Sequence, residues 1–158
     1  MSRPRERVLP PGGTARSANS VVPRRSPFSF PVRVYYEDTD SGGVVYHANY
    51  LRFMERARTE WLSALGLEVA TIEREHGIVF AVYHVDVRYH EPARLGDRLA
   101  VTMELIERGR ARMVALQTIL RGTQTLVEAR VTLACLDRAT WRPARMPAPL
   151  AARMEMPA

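Results

Sequence analysis

The stretch "YYEDTDSGGVVYHANYLRFMERARTEWL", residues 35–62, changes character halfway along its length. Its first half is acidic and turn-forming, with Asp38 and Asp40 directly before the Gly42–Gly43 pair. Its second half carries apolar residues at three- and four-residue steps, which is typical of a helix with one buried face. The sequence therefore places two carboxylates in a turn that leads into a long amphipathic helix.

The helix is predicted to span about residues 48–65 and to end at Gly66. Its apolar face consists of Tyr50, Phe53, Met54, Ala57, Trp61 and Leu65. The opposite face consists of Arg52, Glu55, Arg56, Thr59, Glu60 and Ser63. A helix of this length extends about 27 Å, which is enough to lie across a whole sheet.

Alternating apolar and polar residues predict five strands around this helix. The first strand begins at Phe28, in "FSFPVRVYYED", and the others cover residues 78–89, 98–107, 111–120 and 125–136. Short, turn-rich connections between the later strands favour antiparallel pairing. Residues 69–77 indicate a second, short helix. This order predicts an α+β domain in which a curved sheet wraps the long helix.

The length of 158 residues fits one globular domain with a sizeable core. Of the formal charge of +6, residues 1–26 hold six arginines and one acid, and the remainder holds 17 arginines and 16 acids. The folded part is therefore nearly neutral, so the charge predicts no nucleic-acid partner. No apolar run reaches the length of a transmembrane segment.

Composition divides the chain into three parts. We expect residues 1–26 to form a disordered basic N-terminal extension, residues 27–147 the folded domain, and residues 148–158 a C-terminal tail. The tail is Pro- and Ala-rich, and we expect it to be peripheral, with one short helix near Leu150. The lone cysteine, Cys135, cannot form an internal disulfide and is predicted to be a small buried hydrophobe in a reducing compartment.

The block "EDTDSGGVVYHANYLRFMERARTEW", residues 37–61, resembles the hotdog-fold thioesterases of the 4-hydroxybenzoyl-CoA type. It is most similar to their Tol-Pal-associated branch, the YbgC-like acyl-CoA thioesterases. The stretch "VRYHEPARLGDRL", residues 87–99, is similar to the family's second recurrent stretch. The resemblance implies a hotdog fold, with a five-stranded antiparallel sheet around one central helix. It also implies hydrolysis of acyl-CoA thioesters with no metal or organic cofactor.

The resemblance assigns the catalytic carboxylate to Asp40 and the oxyanion donor to the backbone N–H of His47. Asp40 would act as general base or as nucleophile, and the amide would polarise the thioester carbonyl. A helix N-terminus offers unpaired N–H groups and partial positive charge, which suits both roles. By residue pattern alone, Asp40 is equally a turn or capping aspartate. The imidazole of His47 is a second possible proton carrier.

The neighbouring residues are predicted to support this site. Gly42 and Gly43 would permit a tight turn and keep side chains out of the path of the acyl group. We expect Tyr46 and Asn49 to shape the pocket and the start of the helix. Asp38 is predicted to form or support the loop.

Arginines are expected near a site that binds the phosphates of coenzyme A. Arg108, Arg110 and Arg112 in "ERGRARM" are the candidates, since alternate strand positions share one side. A solvated turn is the other interpretation of these three residues. Glu60 is a helix glutamate of the kind that another hotdog branch uses, but an exposed ion pair with Arg56 is favoured.

Three other kinds of site are not supported by the sequence. "DTDSGG" begins like a calcium loop, but Asn49 stands where a bidentate Glu is required. Gly42–Gly43 lacks the Gly-Lys-Ser/Thr ending of a phosphate loop. The histidines at 76, 84 and 90 show no zinc-ligand spacing.

The partners implied are an acyl-CoA or acyl carrier protein substrate and further copies of the chain, in a homodimer or homotetramer. The location implied is the cytoplasm, with attachment to the surface of the inner membrane left open. Two alternatives remain: a hotdog hydratase or dehydratase, and a non-enzymatic partner of a cell-envelope complex that uses the Arg-rich extension.

Overall fold

The computed structural model describes residues 26–154, so the predicted N-terminal extension, apart from Ser26, lies outside the described residues. The strands are β1 (Phe28–Arg33), β2 (Ile78–Tyr89), β3 (Arg98–Arg108), β4 (Arg112–Arg121) and β5 (Gln124–Asp137). The helices are α1 (Asn49–Ala64), α2 (Val69–His76) and α3 (Ala148–Arg153). Within this part of the chain, no helix is both long enough and apolar enough to cross a membrane.

The five strands form one antiparallel sheet in the order β1-β3-β4-β5-β2. The predicted α+β architecture is confirmed. Irregularities of register in β2, β3 and β5 interrupt the ladder. Such irregularities bend strands and increase their twist, which lets the sheet curve around α1. The edge strands of the sheet are β1 and β2.

The helix α1 buries its predicted apolar stripe. Phe53, Met54 and Ala57 are completely buried, and Tyr50 and Trp61 are nearly so. Leu62 is buried as well, while the predicted Leu65 is only partly buried. Burying a large apolar side chain contributes about 1.5–3 kcal/mol, so this stripe fixes how α1 lies on the sheet.

The first strand is shorter than predicted, because the chain leaves the sheet after Arg33 and passes through a 3-10 turn at Tyr36–Asp38. The Asp38 carboxylate accepts a hydrogen bond from the Tyr35 N–H at 2.8 Å. Short polar side chains that bond the backbone locally compete with a strand ladder. The alternating pattern of residues 34–38 therefore does not continue the strand.

The C-terminal segment, described as far as Met154, packs against the core, which corrects its expected peripheral position. The short helix near Leu150 is present as α3, and both Leu150, 1% exposed, and Met154, 0% exposed, are buried in the main cluster. The Arg108 guanidinium donates hydrogen bonds to the carbonyls of Ala151 and Met154. These contacts hold α3 against the end of β3.

An ion pair joins the loop before β3 to the end of β4. The Arg121 guanidinium donates to Asp97 Oδ2 at 2.7 Å, and the Arg94 N–H donates to the same oxygen at 2.9 Å. Partial burial works to raise the pKa of Asp97, but these hydrogen bonds and the positive charge outweigh it and lower that pKa. The ionised form of Asp97 therefore stabilises the fold.

We expect Leu150→Ala to lower the free energy of unfolding by about 2–5 kcal/mol, because the change leaves a cavity in the core. Chemical denaturation of the native chain and the variant measures the difference. Ala152→Ser, at an exposed position of the same helix, is the matched control and should change stability little. Equal stability of native chain and Leu150→Ala would contradict the packing of α3.

We expect Arg121→Met to lower the free energy of unfolding by about 1 kcal/mol at neutral pH, a modest value because the pair is partly exposed. The lowered pKa of Asp97 gives stability that is present above its ordinary value of 3.8 and is lost as the pH falls through the folded value. The difference between native chain and variant should therefore shrink below pH 3.8. Denaturation at several pH values measures it, and a difference independent of pH contradicts it.

Candidate active site

Asp40 opens a tight turn between β1 and α1. The Gly43 N–H donates to the Asp40 carbonyl at 3.0 Å, and the Asp40 N–H donates to the Val44 carbonyl at 3.0 Å. Gly43 has a φ of 73°, a conformation that glycine adopts without strain. A Cβ at Gly42 would lie 3.0 Å from Asp40 Oδ1. The positive φ at position 43 thus favours glycine, and glycine at position 42 leaves room for the Asp40 carboxylate.

The carboxylate of Asp40 is exposed and has one oxygen engaged by its own turn. Its Oδ1 accepts the Gly42 N–H at 2.7 Å, which is the turn role that the residue pattern also allowed. Its Oδ2 has no hydrogen bond to any group among residues 26–154. The carboxylate borders an open cleft of about 510 Å³ lined by Tyr36, Thr39, Asp40, Ser41, Gly43 and Leu95. One oxygen is therefore available to a molecule in this cleft.

Asp38 is the structural aspartate of the pair. It is only 5% exposed, and its two carboxylate oxygens accept the Tyr35 N–H at 2.8 Å and the Asn49 side-chain amide at 3.2 Å. Its carbonyl accepts the Tyr46 N–H at 2.9 Å. Asp38 therefore ties the Asp40 turn to the start of α1, which confirms that it supports the loop.

His47 lies in the turn before α1, two residues ahead of the first helical residue, Asn49. Its N–H donates to no acceptor within the described part of the chain. Its carbonyl accepts the Tyr89 hydroxyl at 2.9 Å, and its ring packs edge-on against Tyr46 with centroids 4.6 Å apart. The backbone of His47 is thus fixed while its N–H remains open to a ligand.

The structure brings the predicted residues together in two groups. Asp40, Gly42 and Gly43 form one turn. Tyr46 and His47 lie in the turn before α1, and Asn49 is the first residue of α1. Within residues 26–154, none of the three lines the cleft beside Asp40. Asp38 joins the two groups.

The three candidate arginines lie elsewhere. Arg108 ends β3, Arg110 lies in the hairpin connection, and Arg112 begins β4, so they do not occupy alternate positions of one strand. Arg108 binds carbonyls of the C-terminal segment, and Arg112 lies 3.9 Å from Glu107. The β3–β4 hairpin and the loop beside the Asp40 turn lie at opposite ends of β3. These ends are ten residues apart, which corresponds to about 33 Å in a strand. Within one chain, these arginines are far from Asp40.

Two tyrosines that the sequence did not single out hold the site together. The Tyr50 hydroxyl accepts the Ala93 N–H at 2.9 Å, and the Ala93 carbonyl accepts the Val45 N–H at 2.9 Å. The rings of Tyr50 and Tyr89 pack edge-on, 5.7 Å apart. Burial raises the pKa of both tyrosines, so Tyr89 keeps the proton that it donates to His47. The signal in the sequence was the second motif, which includes both Tyr89 and Ala93.

The structure also shows the surroundings of Glu60 and Cys135, for which the sequence left alternative roles open. Glu60 is exposed, but the expected ion pair with Arg56 does not form, because the Arg56 guanidinium lies over the Phe53 ring at 5.9 Å from its centroid. Cys135 is completely buried, as predicted, and burial raises the pKa of its thiol. Residues 26–154 contain no group of three or more His, Cys, Asp or Glu side chains placed to hold a metal ion.

Comparison with known proteins identifies the family. Residues 34–154 match the thioesterase-like superfamily. The chain is 46% identical to the acyl-CoA thioesterase YbgC of Haemophilus influenzae over 120 residues, 76% of this chain and 88% of that protein. It is 40% identical to the acyl-CoA thioester hydrolase YbgC of Escherichia coli over 129 residues, 81% of this chain and 96% of that protein.

Solved structures agree with the sequence comparison. The 1,4-dihydroxy-2-naphthoyl-CoA thioesterase Slr0204 of Synechocystis superposes with a TM-score of 0.75 at 26% identity, over 82% of this chain and 96% of that one. The family match covers most of the described residues, including the Asp40 turn, α1 and α3. The chain therefore belongs to the thioesterase-like superfamily of hotdog-fold enzymes and is similar to the YbgC thioesterases.

Proposed function

We propose that the protein hydrolyses acyl-CoA thioesters to the free acid and coenzyme A, with Asp40 as general base or nucleophile. The observation that carries the proposal is the exposed Asp40 carboxylate, which keeps one oxygen free beside an open cleft. As a base, Asp40 would take a proton from water while the hydroxide adds to the carbonyl carbon. The carbon–sulfur bond then breaks, and the coenzyme A thiolate takes up a proton.

As a nucleophile, Asp40 would itself attack the carbonyl carbon and release coenzyme A, leaving an acyl anhydride on the carboxylate. Water would then hydrolyse the anhydride and restore Asp40. Both routes place negative charge on the former carbonyl oxygen. Neither route requires a metal or an organic cofactor.

The open N–H of His47 is the proposed donor to that oxygen. It precedes α1, whose N-terminus carries partial positive charge, and the Tyr89 hydroxyl holds the adjoining carbonyl in place. A donor that is already fixed stabilises the developing charge without reorganisation, and one such donor contributes about a hundredfold or more to the rate.

We propose that the active unit is a homodimer formed through the β2 edge. The middle of β2 is exposed, with Val82 50% and Tyr83 79% accessible, and an edge strand presents unpaired N–H and C=O groups. Antiparallel pairing of two copies about a two-fold axis would satisfy these groups. It would set residues 78–82 of each protomer opposite residues 84–88 of the other.

This pairing gives each site two contributors. Tyr89 ends β2 and holds His47, so the His47 turn of one protomer would lie beside the beginning of β2 in the other. The remote Arg108 hairpin could reach coenzyme A only in the site of another protomer, and its binding role remains a prediction. An acyl carrier protein as carrier, a cytoplasmic location and the choice between dimer and tetramer also remain predictions.

We expect Asp40→Asn to lower kcat for thiol release at least about a hundredfold, because the substitution removes the charge and keeps the shape. Stability should change little, because the side chain is exposed. Asp38→Asn is the matched comparison: it should lower the free energy of unfolding by about 1–3 kcal/mol, because an amide cannot accept both buried hydrogen bonds. A thiol-trapping assay over a panel of acyl-CoAs, with chemical denaturation, measures both, and an active Asp40→Asn chain would refute the assigned role.

We expect Tyr83→Glu to convert the dimer to a monomer, because charge would be placed in the centre of the paired edges. Sedimentation measures the mass, and thiol release should fall with it because each site has two contributors. Trp141→Gln, at an exposed aromatic residue in a loop, is the control and should leave the dimer intact. A dimer that persists in Tyr83→Glu would rule out the β2 interface.

A further inference from the structure

A second cavity, of about 320 Å³, lies between α1, α2 and the beginning of β2. Its walls are mostly apolar and include Trp61, Leu62, Ile72, Met103, Met113 and Leu133. A volume of this size is within the range of pockets that bind small organic groups. We call it the Arg58 chamber, because the Arg58 side chain forms part of its lining.

Arg58 is held within the chamber wall by one hydrogen bond. Its Nη1 donates to Gln117 Oε1 at 2.8 Å, and Gln117, which is completely buried, donates through Nε2 to the Met54 carbonyl at 3.0 Å. This second bond fixes which way the Gln117 amide points, so its oxygen faces Arg58. The guanidinium is therefore positioned by the sheet and not only by its own helix.

The guanidinium retains donors that no group within residues 26–154 uses. Arginine has five N–H groups, but among residues 26–154 Nε and Nη2 of Arg58 make no hydrogen bond, and no carboxylate lies within 4.0 Å. Every fully buried side-chain nitrogen or oxygen in that range has a partner. The remaining Arg58 donors therefore reach open space, which the chamber provides.

Support of the fold explains only the Arg58 donor that binds Gln117. Burial lowers the pKa of Arg58, although an arginine stays protonated at neutral pH, so a cation sits in an apolar wall. Taking a charged group out of water without a hydrogen-bond partner is costly. In the free protein, water entering the chamber would supply partners for the remaining donors. A ligand that fills the chamber removes the water and must replace its oxygen.

In the proposed dimer, the chamber would adjoin the reaction centre to which the other protomer contributes. Its outer wall includes Ile78, Val79, Phe80 and Val82 at the beginning of β2. The proposed antiparallel pairing sets these residues opposite the end of the other protomer's β2, where Tyr89 holds His47. An acyl group whose carbonyl lies at that turn would extend towards the chamber.

We propose that the Arg58 chamber binds the acyl part of the thioester and selects acyl groups that carry an oxygen acceptor for the free Arg58 donors. This proposal rests on the proposed thioesterase function. A hydrocarbon acyl group would dehydrate the guanidinium and leave its Nε and Nη2 donors unpaired, and sites built to hydrogen-bond a substrate discriminate strongly against analogues that lack the group. Glu55 also lines the chamber, and its carboxylate accepts a hydrogen bond from the Thr59 hydroxyl. The lining thus holds an acid as well as Arg58, so the oxygen acceptor of the substrate can be neutral or anionic.

Three acyl-CoAs with the same heavy-atom skeleton test the selection: 4-methylpentanoyl, 4-oxopentanoyl and succinyl, together with homologues one and two methylenes longer. We expect kcat/KM for at least one of the oxygen-bearing groups to exceed that for its hydrocarbon match about tenfold or more. The 4-oxopentanoyl and succinyl arms distinguish a neutral from an anionic acceptor. Equal values throughout all three lengths would overturn the proposal.

Arg58→Met should remove this preference, because it keeps an apolar stem and removes the guanidinium. Arg58→Lys keeps a cationic donor and should retain part of the preference. Arg52→Met, an exposed position on the same helix, is the matched control and should keep the native ratio. Thermal denaturation checks that each variant folds, and a preference that survives in folded Arg58→Met would refute the assignment to Arg58.

Binding separates this inference from the proposed function. Non-hydrolysable thioether analogues of the three acyl-CoAs are titrated into the native chain, and their Kd values should show the same order. If the native chain binds them in that order but releases no thiol from any acyl-CoA, the proposed function fails and the chamber assignment stands. If the three analogues bind equally, or none binds, the chamber assignment fails, whatever the rate of hydrolysis.

Discussion

The burial of one apolar stripe on α1 is the constraint on which the rest of the structure depends. Phe53, Met54 and Ala57 are completely covered by a sheet that must curve to cover them. Because one face of α1 is fixed in this way, its N-terminus and its polar side are fixed as well. The Asp40 turn is then attached to that N-terminus through the buried Asp38. The positions of the Asp40 turn and of the Arg58 chamber both depend on how this helix packs against the sheet.

The sequence was most informative where structure is local. Alternation predicted the four later strands to within one residue at each end, and the apolar period predicted five of the six buried residues of α1. The strand order β1-β3-β4-β5-β2 was not predicted, because pairing joins residues far apart in the chain. The first strand was overextended because the Asp38 side chain bonds the backbone of Tyr35, which an alternating pattern does not reveal.

The residues of the candidate site likewise fall into two groups, those held by sequence neighbours and those held by residues far away in the chain. Asp40, Gly42 and Gly43 could be assigned from one continuous motif, because the turn is made by neighbours in sequence. The links from Tyr89 to His47 and from Arg58 to Gln117 span 42 and 59 residues, so no motif records them. The arginines near Gly109 were placed on one strand face because the sequence alone does not show where the hairpin begins. Composition suggested a peripheral C-terminus, since proline and alanine conceal two apolar residues that the core requires.

The packing of α3 bears on how the chain is made. Leu150 and Met154 belong to the main core, yet the ribosome adds them only after all five strands have been made. The pairing of β1 with β3 likewise waits for most of the chain to emerge. A nascent chain held in the exit tunnel would lack these contacts and would expose apolar surface on the growing sheet. The domain therefore cannot complete its core until Met154 has left the exit tunnel, and until then the partly synthesised protein is a natural client for molecular chaperones.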